Sequence, residues 1–230
     1  RAVFSRLGID VLIEFPLNRE TAATEPAEFV SRYLAGQMRT ACLCAGPDIS
    51  FGKGGAGDYA LLEKYAGTYG YQVELIEKVR VDGEEVSSTR VRQAVRAGEM
   101  EKAAAMLGAP YRVSGKVVHG RQLGRKLGMP TANLLPDERK LLPPNGVYYS
   151  MAEICEKTYR GISNVGYKPT VSEEKIMGVE TYLYDFEGEV YDRDMTVELL
   201  AFRRAERAFA SVEALRRQIE ADVEAGRNFP

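Results

Sequence analysis

The sequence predicts two structural classes in one chain: an α/β segment, then an all-β antiparallel segment closed by a helix. Three observations carry this prediction. Over residues 1–108 short apolar runs alternate with helical patterns; from residue 109 apolar residues recur with period two between Gly, Pro, Asn and Asp; and the C-terminal stretch returns to helical spacing.

The elements follow in chain order. "GIDVLIEF" (8–15) reads as a short strand, and a helix through Gln37 follows, capped by Thr24 with Glu25, Pro26 and Glu28 in its first turn. "TACLCAG" (40–46) reads as a parallel strand apolar on both faces, which buries Cys42 and Cys44. A glycine-rich loop precedes the helix "YALLEKYAGTYG" (59–70), capped by Asp58, and "YQVELIEKV" (71–79) returns as a strand, completing a βαβ pattern. Two helices, "STRVRQAVRAG" and "EMEKAAAMLG", end on Gly98 and Gly108, and a domain boundary is expected at Ala109–Pro110. The period-two runs are "YRVSGKVVHG", "GVYYSMAEICEKTYRGISNVG", "VETYLYDFEG" and "DMTVELLAF", which suit an antiparallel barrel or sandwich. In "SVEALRRQIEADVEAG", Ser211 is a plausible N-cap, and Val212, Leu215, Ile219 and Val223 form one stripe that packs on the β segment. The chain opens without a methionine, in mid-pattern, so only the last strands of an α/β sheet are expected.

Composition narrows the function. With 230 residues, 45% of them apolar, the chain can build real cores, and no apolar run approaches the roughly 20 residues that cross a bilayer. A net charge of -2 and a pI near 5.7 argue against nucleic-acid and membrane-surface binding, so the expected partners are small molecules. Three cysteines, Cys42, Cys44 and Cys155, do not pair completely; they read as unpaired thiols of a cytoplasmic protein, with no His or Cys near enough to complete a metal site.

One stretch carries chemistry. In "GKVVHGRQLGRKLGMPTAN" (115–133), Gly120, Gly124 and Gly128 stand four apart before Pro130, Thr131 and Asn133. No carboxylate occurs from Lys102 to Pro136, while Lys102, Arg112, Lys116, Arg121, Arg125 and Lys126 supply positive charge. Glycines admit phosphate oxygens close to backbone N–H groups, and a Thr hydroxyl with an Asn amide can ligate Mg²⁺ or a phosphoryl oxygen. On composition alone, a solvated glycine-rich hairpin fits equally well. The stretch is neither a Walker loop nor a dinucleotide fingerprint.

This stretch resembles the riboflavin kinase signature, in which a glycine-rich segment leads into Pro-Thr-Ala-Asn. "NGVYYS", "GISNVGYKPTV", "VETYLYDFEGEVYDRDMTVELLAF" and "RRAERAFASVEALRRQIEAD" follow in that family's order. Upstream, "GPDISFGKGGAGD" and "VSSTRVRQAV" look like the FMN adenylyltransferase part of the bifunctional bacterial riboflavin kinase/FAD synthetase family. The resemblance implies an incomplete Rossmann-like nucleotidyltransferase domain (1–108), then an antiparallel β-barrel riboflavin kinase domain (109–230) with a C-terminal helix. It implies ATP as co-substrate, riboflavin as acceptor, FMN and FAD as products, and Mg²⁺ as cofactor.

Residue by residue, the resemblance places ATP phosphates at Gly120, Gly124, Arg125, Gly128, Pro130, Thr131 and Asn133, with Thr131 and Asn133 also holding Mg²⁺. Glu180, which by pattern alone is a solvated strand residue, becomes the base that orients the ribityl 5′-hydroxyl. Asn164, Arg204 and Phe209 are flavin-binding candidates that core or turn duties would explain equally well. Asp48, Phe51, Gly52, Ser88, Thr89 and Arg90 are the adenylyltransferase remnant; Ser88, Thr89 and Arg90 begin a helix that meets phosphates, against the plain alternative of a serine N-cap. The family's His-x-Gly-His motif is absent: the single histidine, His119, lies in the other domain and reads as structural. Adenylyl transfer is therefore expected only of the intact family protein. A nonenzymatic flavin- or nucleotide-binding regulatory barrel is the alternative from another class.

Overall fold

The computed structural model describes residues 1–120, 128–169 and 175–230. The chain divides into two compact units, Arg1–Val79 and Arg80–Pro230.

In the first unit, strand β1 (Cys42–Ala45) and strand β2 (Gln72–Leu75) pair in parallel across a helix (Tyr59–Tyr69), the expected βαβ order. Asp58 caps that helix, its Oδ1 accepting from the Leu61 N–H at 2.9 Å, and Gly70 closes it at φ +75°, where a Cβ would be strained. The preceding helix (Pro26–Glu28) runs on as a π-helix (Phe29–Gln37) and ends where expected. Its N-cap is Glu25, not Thr24, and Pro26 takes the first helical position, where its missing N–H costs nothing. Val30, Ala45, Leu62 and Tyr71 form the core, and the Tyr71 hydroxyl donates to the Leu62 carbonyl at 2.7 Å.

Besides the cap, two further expectations fail here. "GIDVLIEF" forms no strand; Val11 and Ile13 are exposed, and among the described residues β1 and β2 pair only with each other. An apolar run becomes a strand only where a neighbour accepts and donates its backbone hydrogen bonds. Cys42 and Cys44 are exposed rather than buried: Leu43 and Ala45 take the side of β1 that packs into the core, and the thiols take the other.

The second unit opens with a small hairpin, β3 (Arg80–Val81) and β4 (Glu84–Glu85), and two helices, Ser88–Ala97 and Met100–Leu107, each ended by a left-handed glycine, Gly98 and Gly108 as expected. Ala94, Val95, Met100, Ala103 and Met106 join the same core as the β segment, so both helices belong with it by packing, although the change of sequence pattern comes after Gly108.

Strands β5 (Tyr111–Val118), β6 (Thr131–Pro136), β7 (Gly146–Ile154), β8 (Lys157–Pro169), β9 (Lys175–Leu183) and β10 (Asp194–Ala205) close an antiparallel barrel in the order β10-β5-β6-β9-β8-β7. The barrel settles the barrel-or-sandwich alternative. Val113, Val117, Leu134, Ala152, Val165, Val179, Met195 and Val197 fill its interior, as the period-two pattern requires. β7 and β8 turn at Cys155–Glu156, at φ +51° and +61°. β6, which is not among the period-two runs read from the sequence, is a strand held between β5 and β9. Inside the barrel Ser150, Ser163 and Thr181 share hydrogen bonds of 2.8 Å, which satisfies these buried hydroxyls.

The C-terminal helix (Val212–Arg227) is capped by Ser211, whose Oγ accepts from the Ala214 N–H at 3.1 Å. Its contact face differs from the expected stripe. Val212 is exposed, Leu215, Ile219 and Val223 are half-buried, and the fully buried positions are Asp222 and Gly226. Gly226 is required because a Cβ there would lie 2.3 Å from the Tyr184 hydroxyl, itself hydrogen-bonded to the Val223 carbonyl.

Candidate active site on the barrel wall

The site follows from strand register. One rung crosses the barrel through Val118, Asn133, Glu180, Asn164, Val147 and Arg204. Directly paired residues share a face, and the neighbours Val117, Leu134, Val179 and Val165 point inward, so the polar rung faces outward. Thr131, two residues before Asn133, takes the same outer face. Its hydroxyl donates to Glu180 Oε1 at 2.5 Å, joining two of the expected residues directly.

Two cavities meet at Thr131. The larger, about 630 Å³, is lined by Thr131, Asn164, Glu180, Arg204, Phe209 and the helix residues Leu215 and Ile219, among others. The smaller, about 250 Å³, is lined by Gly120, Pro130, Thr131 and Asn133 together with Phe186 and Tyr191. The structure therefore brings together the expected catalytic residue and all three flavin candidates in one cleft, and four of the phosphate candidates in the other. Gly128 lies outside both linings, at φ +78° in the turn that leads to Thr131. Gly124 and Arg125 lie outside the described residues.

Local chemistry explains several positions. A Cβ on Gly120 would lie 2.5 Å from Asn133 Nδ2, so any larger residue there displaces the amide. Asn164 Nδ2 donates to Glu206 Oε1 at 3.0 Å, and Asn145 Nδ2 donates to Glu206 Oε2 at 3.2 Å; Glu206 thus ties the segment after β10 to the cleft wall. The Arg207 guanidinium lies over the Phe209 ring, 5.1 Å from its centroid. Arg204 Nε donates to both oxygens of Asp222, at 3.1 and 3.0 Å, and its terminal nitrogen donates to Oδ2 at 2.5 Å. Burial would push the Asp222 carboxyl up, but hydrogen bonds from Arg204, Arg203 and Gln218 outweigh it and hold the group below its ordinary range. His119 stacks on Tyr191 at 3.7 Å beside the smaller cavity.

Glu206, Tyr182, Arg203 and Asp222 had no place in the sequence reading. Tyr182 was legible by strand alternation with Glu180; a buried carboxylate on a polar-looking helix was not.

The adenylyltransferase candidates divide between the two units. Asp48 pairs with Lys78 at 3.1 Å, and the hydrogen bond from Lys78 holds its carboxyl below the ordinary value. Phe51 packs on the first unit's core, and Gly52, at φ +71°, would place a Cβ 2.8 Å from Pro26. Ser88 and Thr89 are exposed in the first turn of their helix, and Ser87 is the N-cap, its Oγ accepting from the Arg90 N–H at 3.3 Å. Arg90 pairs with Glu84 and donates to the Glu85 carbonyl at 2.8 Å. The thiols of Cys42 and Cys44 do have a neighbour, Glu74 on β2, with Cys44 Sγ 3.9 Å from its carboxylate.

Among the described residues no helix is long and apolar enough to cross a membrane. A family model described as riboflavin kinase matches residues 107–229, and one described as FAD synthetase matches residues 1–90. A crystal structure named as a macrolide-efflux protein from Streptococcus pneumoniae matches with TM-score 0.89 and 32% identity over 99% of this chain and 73% of that one; the likeness carries the fold, and the efflux in its name is said of that protein. Curated bifunctional riboflavin kinase/FMN adenylyltransferases are similar throughout. That of Pseudomonas fluorescens is 38% identical over 96% of this chain and 70% of its own, and that of Listeria monocytogenes 33% identical over 98% and 71%. With the barrel, its polar rung and both family matches in place, the chain belongs to the bifunctional riboflavin kinase/FMN adenylyltransferase family.

Proposed function

We propose that the chain is an ATP:riboflavin 5′-phosphotransferase that makes FMN on the barrel, the segment 109–230 being the kinase domain. The observation that carries this reading is the Thr131–Glu180 hydrogen bond at the junction of the two cavities. The larger cleft has apolar walls in Ile162, Leu215 and Ile219, an aromatic in Phe209 and amide donors in Asn164, which suits an isoalloxazine. The smaller cavity, edged by Gly120 and Asn133, suits a nucleotide's phosphates.

In this reading Glu180 accepts the hydrogen bond of the ribityl 5′-hydroxyl and takes its proton as the oxygen attacks the γ-phosphorus and ADP leaves. Thr131 orients the carboxylate. Gly120 lets the phosphates approach the backbone, and Gly124, Arg125 and Gly128 are read as further phosphate contacts. Thr131 and Asn133 offer an uncharged hydroxyl and amide oxygen beside the Glu180 carboxylate, a hard-oxygen set that fits Mg²⁺; the ion would neutralise phosphate charge there.

Segment 1–108 is read as part of the adenylyltransferase, with Asp48, Phe51, Gly52, Ser88, Thr89 and Arg90 as its nucleotide contacts. The working compartment is the cytoplasm, without nucleic-acid or membrane partners. Incubation of this chain with riboflavin, ATP and Mg²⁺, followed by flavin separation, tests the proposal: FMN accumulates with little FAD. Unchanged riboflavin would refute the kinase assignment, and robust FAD would refute the restriction to FMN.

A further inference from the structure

Successive residues of a strand normally face opposite sides, yet Arg203 and Arg204 both reach the C-terminal helix. The register of β10 against β7 shifts between Phe202 and Arg204, and this irregularity turns both guanidiniums outward. They converge on Asp222: Arg203 Nε donates to Oδ1 at 2.8 Å, Arg204 takes both oxygens, and Gln218 Nε2 donates to Oδ1 at 2.9 Å. Among the described residues Asp222 is the one charged residue classed as buried, 3% exposed. An apolar residue would dock the helix without the desolvation cost of a carboxylate, so helix docking alone does not account for it.

What Asp222 adds is direction. It seizes one edge of the Arg204 fork while Arg204 also donates to the Ala205 carbonyl at 3.0 Å, which fixes the plane of the guanidinium in the wall of the larger cleft. In a cleft that Glu180 and Glu206 also line, Arg203, Arg204 and Asp222 form one ion-pair cluster. None of these three residues lines the smaller cavity.

We propose that Asp222 is a positioning residue for the flavin: through Arg204 it aims N–H donors at acceptor atoms of the flavin, and so sets flavin affinity without acting on the nucleotide. The inference rests on the riboflavin kinase reading above.

The test compares Asp222→Asn, Arg204→Lys and Val197→Ala in the full chain. Asn keeps the shape and loses the charge, Lys keeps the charge and loses the fork, and Val197, fully buried in the barrel interior, supplies a destabilised control away from the cleft. Riboflavin Kd by flavin fluorescence, both KM values, kcat and Tm are measured. Asp222→Asn and Arg204→Lys should each raise riboflavin Kd and KM roughly tenfold, with ATP KM and kcat within about twofold. Flavin affinity unchanged in Asp222→Asn, or altered no more than in a Val197→Ala protein of equal Tm loss, overturns the inference while leaving the kinase reading intact. A parent that binds no riboflavin overturns both.

Discussion

Replacing Glu180 by Gln removes one charge and little else. Glu180 sits on the outer face of β9, half-buried, opposite Asn133 on one side and Asn164 on the other, and it accepts the Thr131 hydroxyl at 2.5 Å. The Gln carbonyl can still accept that hydrogen bond, the interior neighbours Val179 and Thr181 are untouched, and the cleft keeps its volume, so riboflavin affinity should change little. Loss of a general base typically costs about 10²–10⁴-fold, or roughly 2.7–5.4 kcal/mol at about 1.36 kcal/mol per tenfold. The fall should appear in kcat, since the carboxylate acts on a proton that moves only in the transition state. Single-turnover FMN formation beside a direct flavin titration separates the two effects. Transfer within roughly threefold of the parent, in a variant that binds flavin normally, would sink the assignment and leave Glu180 a structural strand residue.

Further outcomes follow from the same geometry. Thr131→Val keeps the branched shape and removes the hydroxyl that Glu180 accepts; kcat should fall by at least about tenfold and the Mg²⁺ requirement should rise, whereas an unchanged Mg²⁺ titration would exclude Thr131 from the metal and phosphate site. Gly120→Ala puts a Cβ 2.5 Å from Asn133 Nδ2; ATP KM should rise while riboflavin Kd holds, and equal losses for both substrates would argue against separate cavities. Asp222 titrates below its ordinary value of 3.8 in the folded chain, so its contribution to stability is fully present above that value and is lost as pH falls through the lower folded one. Tm measured from about pH 6 to about pH 2.5 should therefore drop less steeply in Asp222→Asn than in the parent; parallel curves would refute the linkage.

Much of the fold was legible because its signals are local. Asp58, Ser211, Gly70, Gly98 and Gly108 mark helix ends through side-chain caps and left-handed backbone, which need no tertiary partner. The barrel strands showed themselves by period two, since every second residue must enter one interior. Apart from the helix cap, which falls on Glu25 rather than Thr24, the failures were questions of neighbours. "GIDVLIEF" is apolar enough for a strand but has no strand beside it, β6 was hidden by its glycine-rich lead-in until β5 and β9 flanked it, and the thiols of β1 took the side away from the core.

The candidate site divides along the same line. By itself the sequence determined which residue types were available and where: a glycine-rich cationic stretch ending in Thr131 and Asn133, a glutamate at 180, and an arginine at 204, all recognisable as a family order because motif spacing is a property of the chain. Only the tertiary structure decided which of them meet. Register across β6, β9, β8 and β7 put Asn133, Glu180, Asn164 and Val147 on one rung, and the irregularity in β10 added Arg204. The physical reason is that antiparallel pairing joins residues tens of positions apart at side-chain distance, and a buried charge such as Asp222 is tolerated only where folding brings it partners from another element.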